Sequence, residues 1–262
     1  MKKFKYAFVT ILLLAFFSIN IKAQTFKIDT TEISFDNKLR PCYAVFVDPD
    51  TKTLKNDWEK YLKKKYSIRT KGNSFFGNNE LMKAEDVVIN PISKKRLDLY
   101  ARITETGEGS AMKVFVAFGY DYFAGDEGFQ PEFDALKDLL NTFLLKSLNE
   151  YYSDEIARIN KSVKSLNKEQ NSLRKSIAKN NDRMFDAQKD MPTSYNITAK
   201  GASAEQSVKD KEKADKLTDK VNKLENENTK AKLKITDVEE KLLEGKSKLE
   251  LLKEKQRNLS NQ

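Results

Sequence analysis

Two spacings of apolar residues run along this chain. In the second half they recur at alternating steps of three and four. Ile156, Ile159, Val163, Leu166, Gln170, Leu173, Ile177, Asn180 and Met184 form one run; Ala214, Leu217, Val221, Leu224, Asn228, Ala231, Ile235, Val238, Leu242, Gly245, Leu249, Leu252, Gln256 and Leu259 form another. That spacing holds one stripe against a partner helix, so it predicts two long coiled-coil helices. Pro131 suits a first helical position, and no Pro or Gly follows until Pro192. Met191-Pro192 and Gly201-Ala202-Ser203 supply breakers between the runs. The reading is an antiparallel hairpin over 131–262, with arms at about 131–186 and 206–261 and a tip loop at 187–205. A short loop gives the arms a high effective concentration for each other. Equal arms put Leu259 beside the start of the first helix.

The seam has two irregularities. Gln170, Asn180 and Asn228 are polar members, which cost stability and set register, and Gly245 marks a close approach or a bend. Away from the tip the stripe widens: Leu139, Leu140, Phe143, Leu144, Leu145 and Leu148 on one arm, and Leu242, Leu243, Leu249, Leu251 and Leu252 on the other. A wide stripe needs more than one partner surface, so both arms are expected to meet a sheet there.

Residues 24–130 show the other spacing. Phe26 to Phe35 alternates weakly and reads as an edge strand, and Cys42 to Val47 is apolar on both faces, as in a central strand. Thr53 is the expected cap of a helix to Tyr66 that buries Leu54, Trp58, Tyr61 and Leu62. Val87-Val88-Ile89 reads as a strand. Leu97, Leu99, Ala101 and Ile103, a Gly107-Glu108-Gly109 turn, then Met112, Val114, Val116 and Phe118 make a β-hairpin with one buried face. The order β-β-α-β-β-β, with a helix to follow, predicts an α+β head: a small antiparallel sheet with helices on one face.

The first residues carry an address. Lys2, Lys3 and Lys5 precede an apolar stretch from Ala7 to Ile19, and Ala23 offers a small residue for cleavage before Gln24. The apolar stretch, about 13 residues, falls short of the ~20 that span a bilayer. A signal peptide over 1–23 is therefore expected, with export to the periplasm or outer surface of a Gram-negative-type cell. The whole chain carries +9. Lys2, Lys3, Lys5 and Lys22 hold four of those charges, leaving about +5 on 24–262, spread along a mixed-sign helical surface. Nucleic acid is not an expected partner, and membrane contact is at most peripheral.

Composition also removes chemistry. There is no histidine, which excludes Ser-His and Cys-His catalysis and histidine metal sites. Cys42 is the single cysteine, so no internal disulfide forms, and its apolar surroundings mark a buried strand position. Asp121, Asp126 and Glu127 lie among glycines without calcium-loop spacing and read as turn chemistry. Lys63-Lys64-Lys65 and Lys94-Lys95-Arg96 are candidate contacts for anionic lipid or sugar. Met191, Tyr195 and Ile197, at the tip, are candidate partner contacts.

No cofactor is expected. The expected function is a non-enzymatic interaction or spacer protein of the envelope that binds protein partners, with homo-oligomerisation open. In outline the chain resembles the Skp-type periplasmic chaperones: exported, basic, a small β-containing body and a long helical hairpin. Its head precedes an uninterrupted hairpin, whereas theirs is split around it, and no binding residue carries over. That resemblance implies a second expectation, an oligomeric holdase. A third, an enzyme, would place its carboxylates in the Asp121–Glu127 loop.

Overall fold

The computed structural model describes residues 25–72, 81–119, 121–192 and 204–261. The predicted signal at 1–23 lies outside them. Five strands, β1 (Asp29–Phe35), β2 (Lys38–Val47), β3 (Leu81–Ile89), β4 (Ser93–Thr106) and β5 (Gly109–Ala117), pair antiparallel in the order β1-β2-β5-β4-β3. Helix α1 (Thr51–Tyr66) joins β2 to β3, and α2 (Gln130–Lys189) and α3 (Ala204–Leu259) follow β5. The fold is the expected α+β arrangement with a long helical hairpin. The chain divides into two compact units: one runs to Asp154 and resumes at Lys253, and the other is Glu155–Leu252.

Local chemistry sets the element boundaries. Asp50, not Thr53, caps α1: its carboxylate accepts from the Thr53 amide at 2.7 Å, which starts the helix at Thr51. Ser67 ends it in a left-handed conformation, and the Ser67 and Ile68 amides return to the Lys63 and Leu62 carbonyls. β3 is longer than Val87–Ile89 because Leu81 to Ala84 already pair with Arg102 to Leu99, ahead of a register shift at Ala84/Val87. The β4–β5 turn is where predicted. A Cβ on Gly109 would sit 2.1 Å from the Val47 carbonyl oxygen, so only glycine lets β5 start that close to β2.

The sheet buries residues on both faces, in keeping with the two-sided apolar pattern of Cys42 to Val47 and correcting the single buried face expected of the β4–β5 hairpin. On the first face, Val45, Val47, Leu97, Leu99, Ile103, Met112 and Val114 are buried, as are the predicted α1 positions Leu54, Trp58, Tyr61 and Leu62. Tyr43 stacks on Phe133 of α2 with centroids 4.1 Å apart. The second face holds a smaller core of Ile33, Cys42, Tyr100, Phe115, Ala117 and Phe123, with Phe35 and Leu81 packed against it. Phe123 comes from the segment after β5, which doubles back through an Ala117–Phe123 bridge. The Arg40 guanidinium lies 4.2 Å from the centre of its ring. Cys42 is fully buried here, as predicted, and burial pushes its thiol up to about 11.

Within the sheet-bearing unit, the end of α3 lies against α2 in a different register from the one expected. Leu259 is buried, but it shares a cleft with Leu145 and Asn149 instead of lying at the start of α2. Gln256 donates to the Asn149 side-chain carbonyl at 3.0 Å and to the Ser153 hydroxyl at 2.8 Å. The opening turns of α2 are occupied elsewhere, with Phe133, Leu136, Leu140, Phe143 and Leu144 buried and Phe143 packed on Trp58 and Tyr61 of α1. The predicted widening holds for α2 alone. On α3, Leu243 and Leu251 are exposed, and only Leu242 and Leu252 of that group are buried.

Candidate functional site

The Glu155–Leu252 unit is built around the predicted seam. Between Ile156 and Met184, the covered positions of α2 are Ile156, Ile159, Val163, Leu166, Gln170, Leu173, Ile177, Asn180 and Met184, and every other residue is exposed. Between Ala214 and Leu252, α3 covers only Ala214, Leu217, Val221, Leu224, Asn228, Ala231, Ile235, Val238, Leu242, Gly245, Leu249 and Leu252. Each arm therefore turns one narrow stripe inward and leaves the rest to solvent.

Cross-arm contacts fix the antiparallel alignment. A Cβ on Gly245 would meet Val163 at 3.1 Å and Ile159 at 4.0 Å, so the glycine is a close approach. Farther along α2, Gln170 donates to Glu239 at 2.8 Å and Arg174 pairs with the same carboxylate at 3.2 Å. Farther still, Asn180 donates to Glu227 at 3.3 Å, and Asn228 donates to Asn181 at 2.8 Å. The partners descend α3 as they climb α2. The Asn228 side-chain oxygen is buried without a hydrogen-bond partner.

Of the three tip candidates, Met191 is half-buried just past the end of α2, and Tyr195 and Ile197 lie outside the described residues. The carboxylates of the Asp121–Glu127 segment do not converge. Asp121 pairs with Lys38 and Arg40, and Asp126 accepts from the Phe123 amide at 2.7 Å, while Glu127 is exposed. Among the described residues, no three His, Cys, Asp or Glu side chains are placed to hold a metal ion. No helix among them is long and apolar enough to cross a membrane.

No protein family, curated protein or solved structure matches the chain. The side chains themselves carry the functional reading.

The structure adds one polar centre that the sequence did not reveal. Asp48, at the end of β2, accepts from the Tyr152 hydroxyl at 2.8 Å and from Lys255 at 2.7 Å. The Thr25 hydroxyl donates to the Lys255 carbonyl at 3.2 Å. Tyr152 is fully buried, and burial followed by the Asp48 hydrogen bond holds its hydroxyl in the protonated form well above the usual tyrosine range. Three single residues on three elements leave no spacing to read, so no sequence signal points to this tie between α2, α3 and the sheet.

Proposed function

We propose that the protein is a non-enzymatic, exported envelope protein that works as an interaction or spacer module, using its sheet-bearing unit and its helical hairpin to engage protein partners. The observation that carries this is the self-contained seam. With every covered position between Ile156 and Met184 on one stripe, the hairpin holds its shape from its own pairing, and its charged outer surface is left free for contact. The leading Lys-rich and apolar segment at 1–23 supports export. The test is photocrosslinking in the native cell from Met191 and from the exposed Phe46 of β2, with the captured proteins identified. A reproducible, position-specific set of captured partners supports the proposal; bulk crosslinks that do not depend on position defeat it. Amino-terminal sequencing of the mature protein is expected to begin at Gln24.

The exposed apolar side chains on the helices favour a second reading, the oligomeric holdase. Phe185, Val208, Leu233, Leu243 and Leu251 are each more than half exposed, and unfolded clients bind such surfaces. This reading requires a homo-oligomer by light scattering and suppression of client aggregation at stoichiometric ratios. A monomer without that activity excludes it.

A further inference from the structure

A cleft of about 560 Å³ opens between α1 and α2 within the sheet-bearing unit. Its floor is aromatic. Tyr61 and Phe143 are buried with ring centres 5.3 Å apart, and Trp58 packs on both, at 6.1 and 4.8 Å. Its rim is cationic, with Lys60, Lys64 and Lys65 from α1 and Lys146 from α2. Asp57 and Glu150 are the two acids of the lining, so four ammonium groups face two carboxylates.

The four lysines have different surroundings. Lys60 lies 3.8 Å from one Asp57 oxygen, and the other accepts from the Ser147 hydroxyl at 3.0 Å. Lys65 donates to the Tyr61 hydroxyl at 3.2 Å, a bond that raises its pKa, and lies over the Tyr61 and Tyr66 rings. Lys64 and Lys146 have no carboxylate partner among the described residues. A basic last turn is expected where it offsets a helix dipole, and α1 has one in Lys63, Lys64 and Lys65. Lys146 lies far from either end of α2, so the dipole does not account for it.

We infer that this cleft binds a phosphate monoester bearing an apolar group, the phosphate between Lys64 and Lys146 and the apolar group on Tyr61 and Phe143. Flexible ammonium groups converge on phosphate as point charges, without the planar fork that arginine offers a carboxylate. A phosphate monoester carries about −1.5 to −2 at neutral pH, which matches the twofold cationic excess of the lining. The aromatic floor distinguishes an ester from the free ion. The inference is independent of the export reading.

Trp58 is the only tryptophan in the chain and lies beneath the cleft, so its fluorescence reports on this site. The whole protein is titrated with phenyl phosphate and with inorganic phosphate, and pelleted with phosphatidylcholine vesicles with and without phosphatidic acid. Phenyl phosphate is expected to give a saturable change that inorganic phosphate does not match. The double variant Lys64→Glu, Lys146→Glu should weaken it by roughly tenfold or more, whereas Lys94→Glu, Lys95→Glu on β4 should leave it intact. Charge-selective pelleting lost in the first double variant assigns the ester to a lipid; pelleting unaffected by either assigns it to a soluble molecule. No saturable change, equal response to inorganic phosphate, or equal loss in both double variants overturns the proposal.

Discussion

Replacing Asn228 with leucine should stabilise the helical unit. Asn228 is only 7% exposed, its amide nitrogen donates to Asn181 at 2.8 Å, and its carbonyl oxygen is buried without a partner. An unsatisfied buried carbonyl costs about 2 kcal/mol, and the hydrogen bond that would be lost is worth about 1 kcal/mol net. Leucine in the same stripe buries extra apolar surface worth about 1 kcal/mol. The balance is a gain of about 2 kcal/mol, or about 1 M in the urea midpoint at a slope of about 2 kcal/mol/M. Urea unfolding followed by helical circular dichroism gives the midpoint, and amide hydrogen exchange along 217–238 localises the gain to the hairpin. A midpoint that falls, with faster exchange around Asn228, would refute the reasoning: the polar layer would then be a net contributor to stability.

Three further outcomes follow from the sheet-bearing unit. Tyr152→Phe removes the bond to Asp48 but leaves the Lys255 pair, so it should cost about 1 kcal/mol in thermal stability; a loss several times larger would mean that the pair fails as well. Phe123→Ala strips the ring beneath Arg40 and the cover of the second core, at about 3 kcal/mol, and should make native Cys42 react with a thiol reagent that leaves the parent untouched. Alkaline pH should destabilise the fold. Burial raises Cys42 from 9.0 to about 11, and raises Tyr43 and Tyr100 from 10.0 to about 12. The unfolded chain therefore loses those protons first, so stability is full below about pH 9 and declines as pH climbs towards 12. A melting temperature that stays flat across that window would contradict the burial of these groups.

The parts of the structure that were legible in the sequence are those carried by a local period. The three-four spacing named every covered position between Ile156 and Met184, helical spacing found the buried face of α1, and the two-residue alternation found the β4–β5 hairpin. Relations between distant segments were not legible. A heptad stripe fits a partner at many offsets, so Leu259 was expected at the start of α2 and lies instead beside Asn149. Leu243 and Leu251 read as core by type alone, yet they fall off the stripe. The second sheet core is completed by Phe123, beyond the last strand, which no alternation announces. The cleft between α1 and α2 arises because Lys64 and Lys146, about 80 positions apart, come to line one hollow.

The tie at Asp48 also bears on the order of folding. Lys255, Gln256 and Leu259 complete a unit whose other residues end at Asp154, so that unit closes only after the whole intervening segment has been made. As an unstructured loop, that segment of roughly 100 residues would impose a closure entropy of about 4 kcal/mol on the late contact. Zippering of α2 against α3 removes most of that penalty by delivering Gln256 to Asn149 and Ser153. Variants that slow pairing near Asn180 and Asn228 should therefore delay the burial of Tyr152, although neither asparagine touches it.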